Sequence, residues 1–155
     1  MNNGKLDEID KSILNVLQRE GRIETLELSK RVNLSRTPVS LRLEKLLESR
    51  VIRGFAALLD REKAGWPVLV VTHVKLEKQT TLLLTEFEEQ ACTMTEVQAC
   101  FHVSGDWNFI LLVAARTPQA YFTFLMGQIN SLPNVAHTDS AFVMKEAKIQ
   151  GPLPI

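Results

Sequence analysis

Between Ile23 and Ser49 the chain reads as two short amphipathic helices joined by a tight turn, the second opening Ser35-Arg36-Thr37-Pro38. That layout is a helix-turn-helix, a device that presents one exposed helix face to the major groove of DNA. It constrains the N-terminal part more than any bulk property does, because a net charge of zero over 155 residues would otherwise conceal a nucleic-acid binder.

Dividing the chain makes the charge informative. Residues 1–57 hold 11 Lys and Arg against 8 Asp and Glu, or +3, and residues 58–155 hold 7 against 10, or −3. Within 30–53, Lys30, Arg31, Arg36, Arg42, Lys45, Arg50 and Arg53 face only Glu44 and Glu48. A positive unit joined to a mildly acidic one implies that only the first meets a polyanion.

The pattern of the first unit supports three helices. Asp7 suits an N-cap, with Glu8 and Asp10 in the first turn. Ile9, Ile13, Val16 and Leu17 form one apolar face, and Gly21 is expected to end the helix. Thr25 is expected to cap the second helix, with Leu28 and Val32 inward, and Asn33-Leu34 to make the turn. Ser35 is expected to cap the third, where Pro38 is tolerated because first-turn amides lack intrahelical partners. Val39, Leu43, Leu46 and Leu47 then point inward. Thr37, Leu41, Glu44, Lys45 and Glu48 are left outward, with Arg36, Ser40 and Arg42 on the flanks. Val51–Ala57 reads as an extended exit strand.

A recognition helix reads bases from its N-terminal portion, which assigns Ser35, Arg36, Thr37 and Ser40 to that end of the interface. A forked Arg36–guanine contact would supply ~1–3 kcal/mol of discrimination. Arg42, Lys45 and Arg53 are expected on phosphates, giving affinity without sequence. Exposed Leu41 suits either a thymine methyl or a neighbouring protein surface. The alternative is a three-helix bundle whose basic residues form a solvated face.

After a linker at 58–66, residues 67–155 read as a second domain. Pro67–Leu76 is strand-like and Thr80–Cys92 helical, with Leu83, Phe87 and Ala91 on one face. Val97, Ala99, Phe101 and Val103 alternate with Gln98, Cys100, His102 and Ser104, so the first set is expected buried. Gly105–Asn108 turns into Phe109–Ala115, which is apolar on both faces. Thr117-Pro118 starts a helix burying Leu125, Ile129 and Leu132. A last strand follows near Val135–Lys145, and Gly151–Pro154 reads as a loose tail. The order βαββαβ is that of a ferredoxin-like α+β sandwich. Its helices cover one sheet face, so the two-sided apolar strand implies that a second copy covers the other, giving a two-fold dimer with two DNA-reading units.

No apolar run reaches membrane-spanning length, and the polar start Met1–Lys5 lacks the core of a signal peptide, so cytoplasmic residence is expected. Cys92 and Cys100 show neither metal spacing nor a disulfide framework and read as buried reduced thiols. His73, His102 and His137 fall on different strands without ligand spacing, and no phosphate-cradling loop or catalytic triad is visible. No metal, cofactor or catalytic residue is expected.

Several fragments, in order and spacing, resemble the leucine-responsive/asparagine-responsive (Lrp/AsnC, feast-famine) transcription regulators over nearly the whole chain. They are Leu6-Asp7 with Asp10 and Ile13-Leu14, Glu20-Gly21-Arg22-Ile23, and Leu28-Ser29 with Val32 and Leu34-Ser35. Arg42, Leu46, Glu48, Val51-Ile52 and Gly54 continue it, as does Val103-Ser104-Gly105-Asp106-Trp107. The resemblance implies an N-terminal DNA-binding domain and a C-terminal ligand-binding and oligomerising domain. It also implies dimers assembling into octameric rings, with an amino-acid effector such as leucine or methionine held between dimers. Carried onto matching positions, the effector site comprises Ser104, Gly105, Asp106, Trp107 and Asn108, with outward Thr138 and Ser140. Asn108 stands where many relatives carry Asp, and a neutral amide holds an ammonium less firmly. For this turn the competing reading is a tight hairpin with Gly105 chosen for backbone geometry. For the whole chain the alternatives are an architectural DNA-binding protein without effector, or a tetrapyrrole decarboxylase-like enzyme on the same plan.

Overall fold

The computed structural model describes residues 6–149 and 151–155; the polar start at residues 1–5 lies outside the described residues. Two compact units emerge: Met1–Ala57 together with Lys148–Ile155, and Leu58–Ala147.

The first unit holds α1 (Glu8–Leu17), α2 (Thr25–Arg31) and α3 (Arg36–Glu48). Asp7 caps α1 in a reciprocal box: its Oδ1 accepts from Asp10 N at 2.8 Å, and Asp10 Oδ2 accepts from Asp7 N at 3.3 Å. α1 ends before Gly21, with Gln18 as its C-cap, because Arg19 N turns to Val16 O and tightens the last turn. Glu24, not Thr25, occupies the N-cap of α2; the first ladder bond, Leu28 N to Glu24 O, already starts there. Asn33 ends α2 at φ 55°, with Asn33 N on Lys30 O and Leu34 N on Ser29 O, a left-handed closure that asparagine tolerates. Ile13, Leu14, Leu28, Val39 and Leu46 form the core, with Leu34 packed against it. Leu47 is 39% exposed rather than inward, since it stands about 100° round the helix from Leu46.

Two further expectations fail in this unit. Val51–Ala57 is irregular, because along it no neighbouring strand completes a ladder among the described residues. The segment read as a loose tail lies on α1. Gln18 brackets Leu153, donating from Nε2 to its carbonyl at 3.3 Å and accepting from its N–H at 2.5 Å, while Asn15 Nδ2 donates to Ile155 O at 3.0 Å. A side-chain amide carries both donor and acceptor and so pairs with backbone as a strand would. Pro152 and Pro154 keep this short segment extended.

The second unit is the expected α+β ferredoxin-like sandwich. Its elements are β1 (Val68–Leu76), α4 (Thr81–Thr93), β2 (Val97–His102), β3 (Phe109–Ala115), α5 (Pro118–Phe124, continued by a π-turn at Leu125–Ile129) and β4 (Val135–Phe142). Thr80 and Thr117 cap α4 and α5 through their hydroxyls. The strands run antiparallel in the order β2-β3-β1-β4. Phe87 and Ala91 of α4 and Tyr121, Phe124 and Ile129 of the α5 segment pack on Val70, Val74, Phe109, Leu111 and Val113. Residues 58–66, expected as a plain linker, include a turn in which Asp60 caps Lys63 N, and Arg61 pairs with Glu146.

The inside–outside assignment in β2 is reversed at its centre. Val97 pairs with Val113 but Ala99 with Leu112, so one residue bulges between them and the alternation shifts. Cys100, opposite Leu111, therefore packs against the core, while Phe101, opposite Ile110, is 56% exposed on the other face. Ala99, Phe101, Ile110, Leu112, Val71 and His73 share that outer face by register.

Candidate functional site

On α3, Ser35, Arg36, Thr37, Ser40 and Lys45 are exposed, as is Arg53 beyond it. Ser35 stands at the N-cap but makes no side-chain cap bond, which leaves its hydroxyl available to an incoming group. At about 100° per residue, Arg36, Thr37, Ser40, Leu41 and Glu44 fall on one face, reached first from the helix N-terminus. Not every cation of the basic stretch is available. Lys30 pairs with Glu27, and Arg31 with Glu20 and Glu27. Among the described residues Arg36, Lys45, Arg50 and Arg53 have no acidic partner.

Arg42 departs from its expected phosphate role. Its Nη1 lies 2.7 Å from Asp7 Oδ2 and 2.7 Å from Asp10 Oδ1, with the side chain only 30% exposed. The Asp10 amide and the Arg42 guanidinium together hold the Asp7 carboxyl below its ordinary range. Asp7 was legible as a cap; the reciprocal spacing Asp7-x-x-Asp10, which leaves each carboxylate a second oxygen for Arg42, was the signal that sequence reasoning missed.

The turn Ser104–Asn108 joins β2 to β3. Gly105 has φ +114° with open space where a Cβ would stand, so conformation and not crowding requires glycine. Ser104, Gly105 and Asp106 are exposed. Trp107 lies between His73 and His137, with ring centroids 5.5 and 5.7 Å away, and Asp139 is 3.9 Å from His73 Nδ1. The strands thus gather two histidines that looked unrelated in sequence.

Asn108 is held by the fold through its Oδ1 and its backbone. It is 5% exposed, its Oδ1 accepts from Leu76 N at 2.8 Å, and its backbone bonds Val74 and Val103. The β1–β4 register shifts at Lys75/Leu76, which frees Leu76 N for this side chain. Thr138 and Ser140 are not outward either. Paired with Val74 and Thr72, they face the helices. Thr138 donates to Asn130 Oδ1 at 3.0 Å, and Ser140 meets the Tyr121 hydroxyl at 2.5 Å, which in turn meets buried Thr72 at 2.7 Å. Trp107, stacked on His137 and tilted against His73, belongs to the opposite face. One chain therefore does not collect the expected effector residues into a single pocket.

Residues 6–53 match a winged helix-turn-helix DNA-binding family, and residues 69–153 match the Lrp/AsnC ligand binding domain. The chain belongs to the Lrp/AsnC family. The Bkd operon transcriptional regulator of Pseudomonas aeruginosa is 36% identical over 97% of this chain and 99% of its own length. The leucine-responsive regulatory protein of Escherichia coli K12 is 36% identical over 92% and 87%. Among solved structures, a Neisseria meningitidis transcriptional regulator in complex with L-Met superposes with a TM-score of 0.90 at 31% identity, covering 97% of both chains. As an Lrp/AsnC protein the chain is a DNA-binding transcription regulator, and with relatives of this kind the decarboxylase alternative is set aside.

Proposed function

We propose that the regulator reads operator bases with Arg36, Thr37 and Ser40, holds phosphates with Ser35, Lys45 and Arg53, and changes its DNA-bound state on binding a free amino acid. The observation that carries the DNA assignment is that Arg36 and Lys45 on α3 and Arg53 beyond it are exposed and have no acidic partner among the described residues, beside neighbours whose charges are already paired within the fold. Amino-acid response draws support from the ligand-binding domain match and from the L-Met complex of the Neisseria relative. Methionine or leucine fits the reading, with the exposed backbone of Gly105 and the Asp106 carboxylate meeting the polar end of the ligand.

The proposed effector set is Ser104–Trp107 with Thr138 and Ser140. Its separation onto two sheet faces supports a site completed by neighbouring chains, as does the apolar outer face carrying Phe101, Ile110 and Leu112. Two copies meet through that face, and dimers assemble further into an octamer in the cytoplasm. Titrating each common amino acid into the full chain, with thermal stability, sedimentation and DNA affinity followed together, tests this. A response to methionine or leucine supports the reading; silence to all of them favours an architectural protein without effector.

A further inference from the structure

We infer that Arg42, with Asp7 and Asp10, is a positioning residue that sets how the recognition helix meets base edges, and is not a phosphate ligand. The inference rests on the proposed reading of DNA by α3.

Each carboxylate in this corner serves two partners. Asp7 takes the Asp10 amide on Oδ1 and Arg42 on Oδ2; Asp10 takes the Asp7 amide on Oδ2 and Arg42 on Oδ1. The start of α1 and the middle of α3 are thereby joined by two charge-assisted bonds of fixed direction. Apolar packing does not fix that relation. α3 buries only Val39 and Leu46 in the core, two turns apart, and apolar contact is non-directional. Arg42 also stands about 200° round the helix from Ser40, so it points away from the base-reading side. Electrostatics agrees: one guanidinium against two carboxylates leaves the corner net negative, which a phosphate would avoid unless both bonds broke.

The two roles predict opposite signs for Asp7→Asn. Asparagine caps a helix about as well as aspartate, so the start of α1 survives. If Arg42 gripped phosphate, removing a competing negative charge would tighten binding to every duplex. If Arg42 positions α3, Asp7→Asn weakens binding to a preferred sequence and spares a scrambled one. The probes are a duplex selected from a random pool by the unaltered full chain, and a scrambled duplex of equal composition. Asp7→Asn and Arg42→Gln should each lower affinity for the selected duplex roughly three- to tenfold, with the double variant no worse than the weaker single one. The salt dependence should be unchanged for Arg42→Gln, whereas Lys45→Gln should make it shallower by about 0.9. Thermal unfolding establishes that each variant is folded, and should Arg42→Gln not fold, Asp7→Asn and Arg42→Lys decide alone. Tighter binding of Asp7→Asn to both duplexes, or a shallower slope for Arg42→Gln, overturns the inference. Failure of the unaltered chain to select any duplex overturns the DNA reading itself.

Discussion

Replacing Phe101 with Ser tests whether the outer face of the sheet is where two copies meet. The β2 bulge turns Phe101 onto that face, where 56% of its surface is exposed in the single chain. A phenylalanine has ~200 Å² to bury, so roughly 110 Å² is available to a partner. At ~25 cal/mol per Å² this amounts to about 2.8 kcal/mol per side chain. A two-fold interface counts every substitution twice, giving ~5–6 kcal/mol, or roughly 10⁴ in the dimer dissociation constant. Side-chain ordering at the interface offsets part of this, and half the figure is still about a hundredfold. Sedimentation velocity over a range of concentrations measures the change, with circular dichroism confirming that the monomer is folded. Phe122→Ser is the matched control, since Phe122 is 62% exposed but lies on α5, on the helical side of the sheet. An unchanged dissociation constant for Phe101→Ser, or an equal loss for Phe122→Ser, would refute the argument.

Tyr121→Phe removes the link between fully buried Thr72 and Ser140, and should destabilise the second unit by about 1–3 kcal/mol in thermal unfolding. Gly105→Ala should cost about 1–2 kcal/mol through its φ of +114° alone, since no neighbour crowds a new Cβ, and effector response should fall with it in the same titration. Burial raises the Cys100 thiol from 9.0 to about 12, with Cys92 and Glu88 adding to the shift. The folded state thus keeps a proton that the unfolded chain releases, so this contribution is intact below pH 9 and is lost as pH rises toward 12. Denaturant unfolding across that range should show the decline, and Cys100→Ala should flatten it; alkylation at neutral pH should reach exposed Cys92 first.

The helices were legible wherever a local rule decides them: Asp7 as a cap, Asn33 as a left-handed stop, Thr117-Pro118 as a start. The element order βαββαβ followed from the sequence of apolar runs. Hidden were the features that arise when distant segments pair. No periodicity announces the β2 bulge, because the extra residue is placed by register against β3, and it exchanged the roles of Cys100 and Phe101. Asn108 stands in the turn that the family resemblance assigned to the effector; its burial depends on the Leu76 amide, which another strand offers to its side chain. Arg42 read as a free cation because its partners lie more than thirty residues earlier.

The placement of Lys148–Ile155 in the first unit has a consequence for biogenesis. On the ribosome, residues 6–57 can close their small core before residues 58–147 are made, but the strap that Gln18 and Asn15 await follows those residues, on the order of ten seconds later at ordinary elongation rates. The nascent helical head is therefore completed only after the α+β sandwich has been made, so a product cut short within the sandwich would carry a head without this brace.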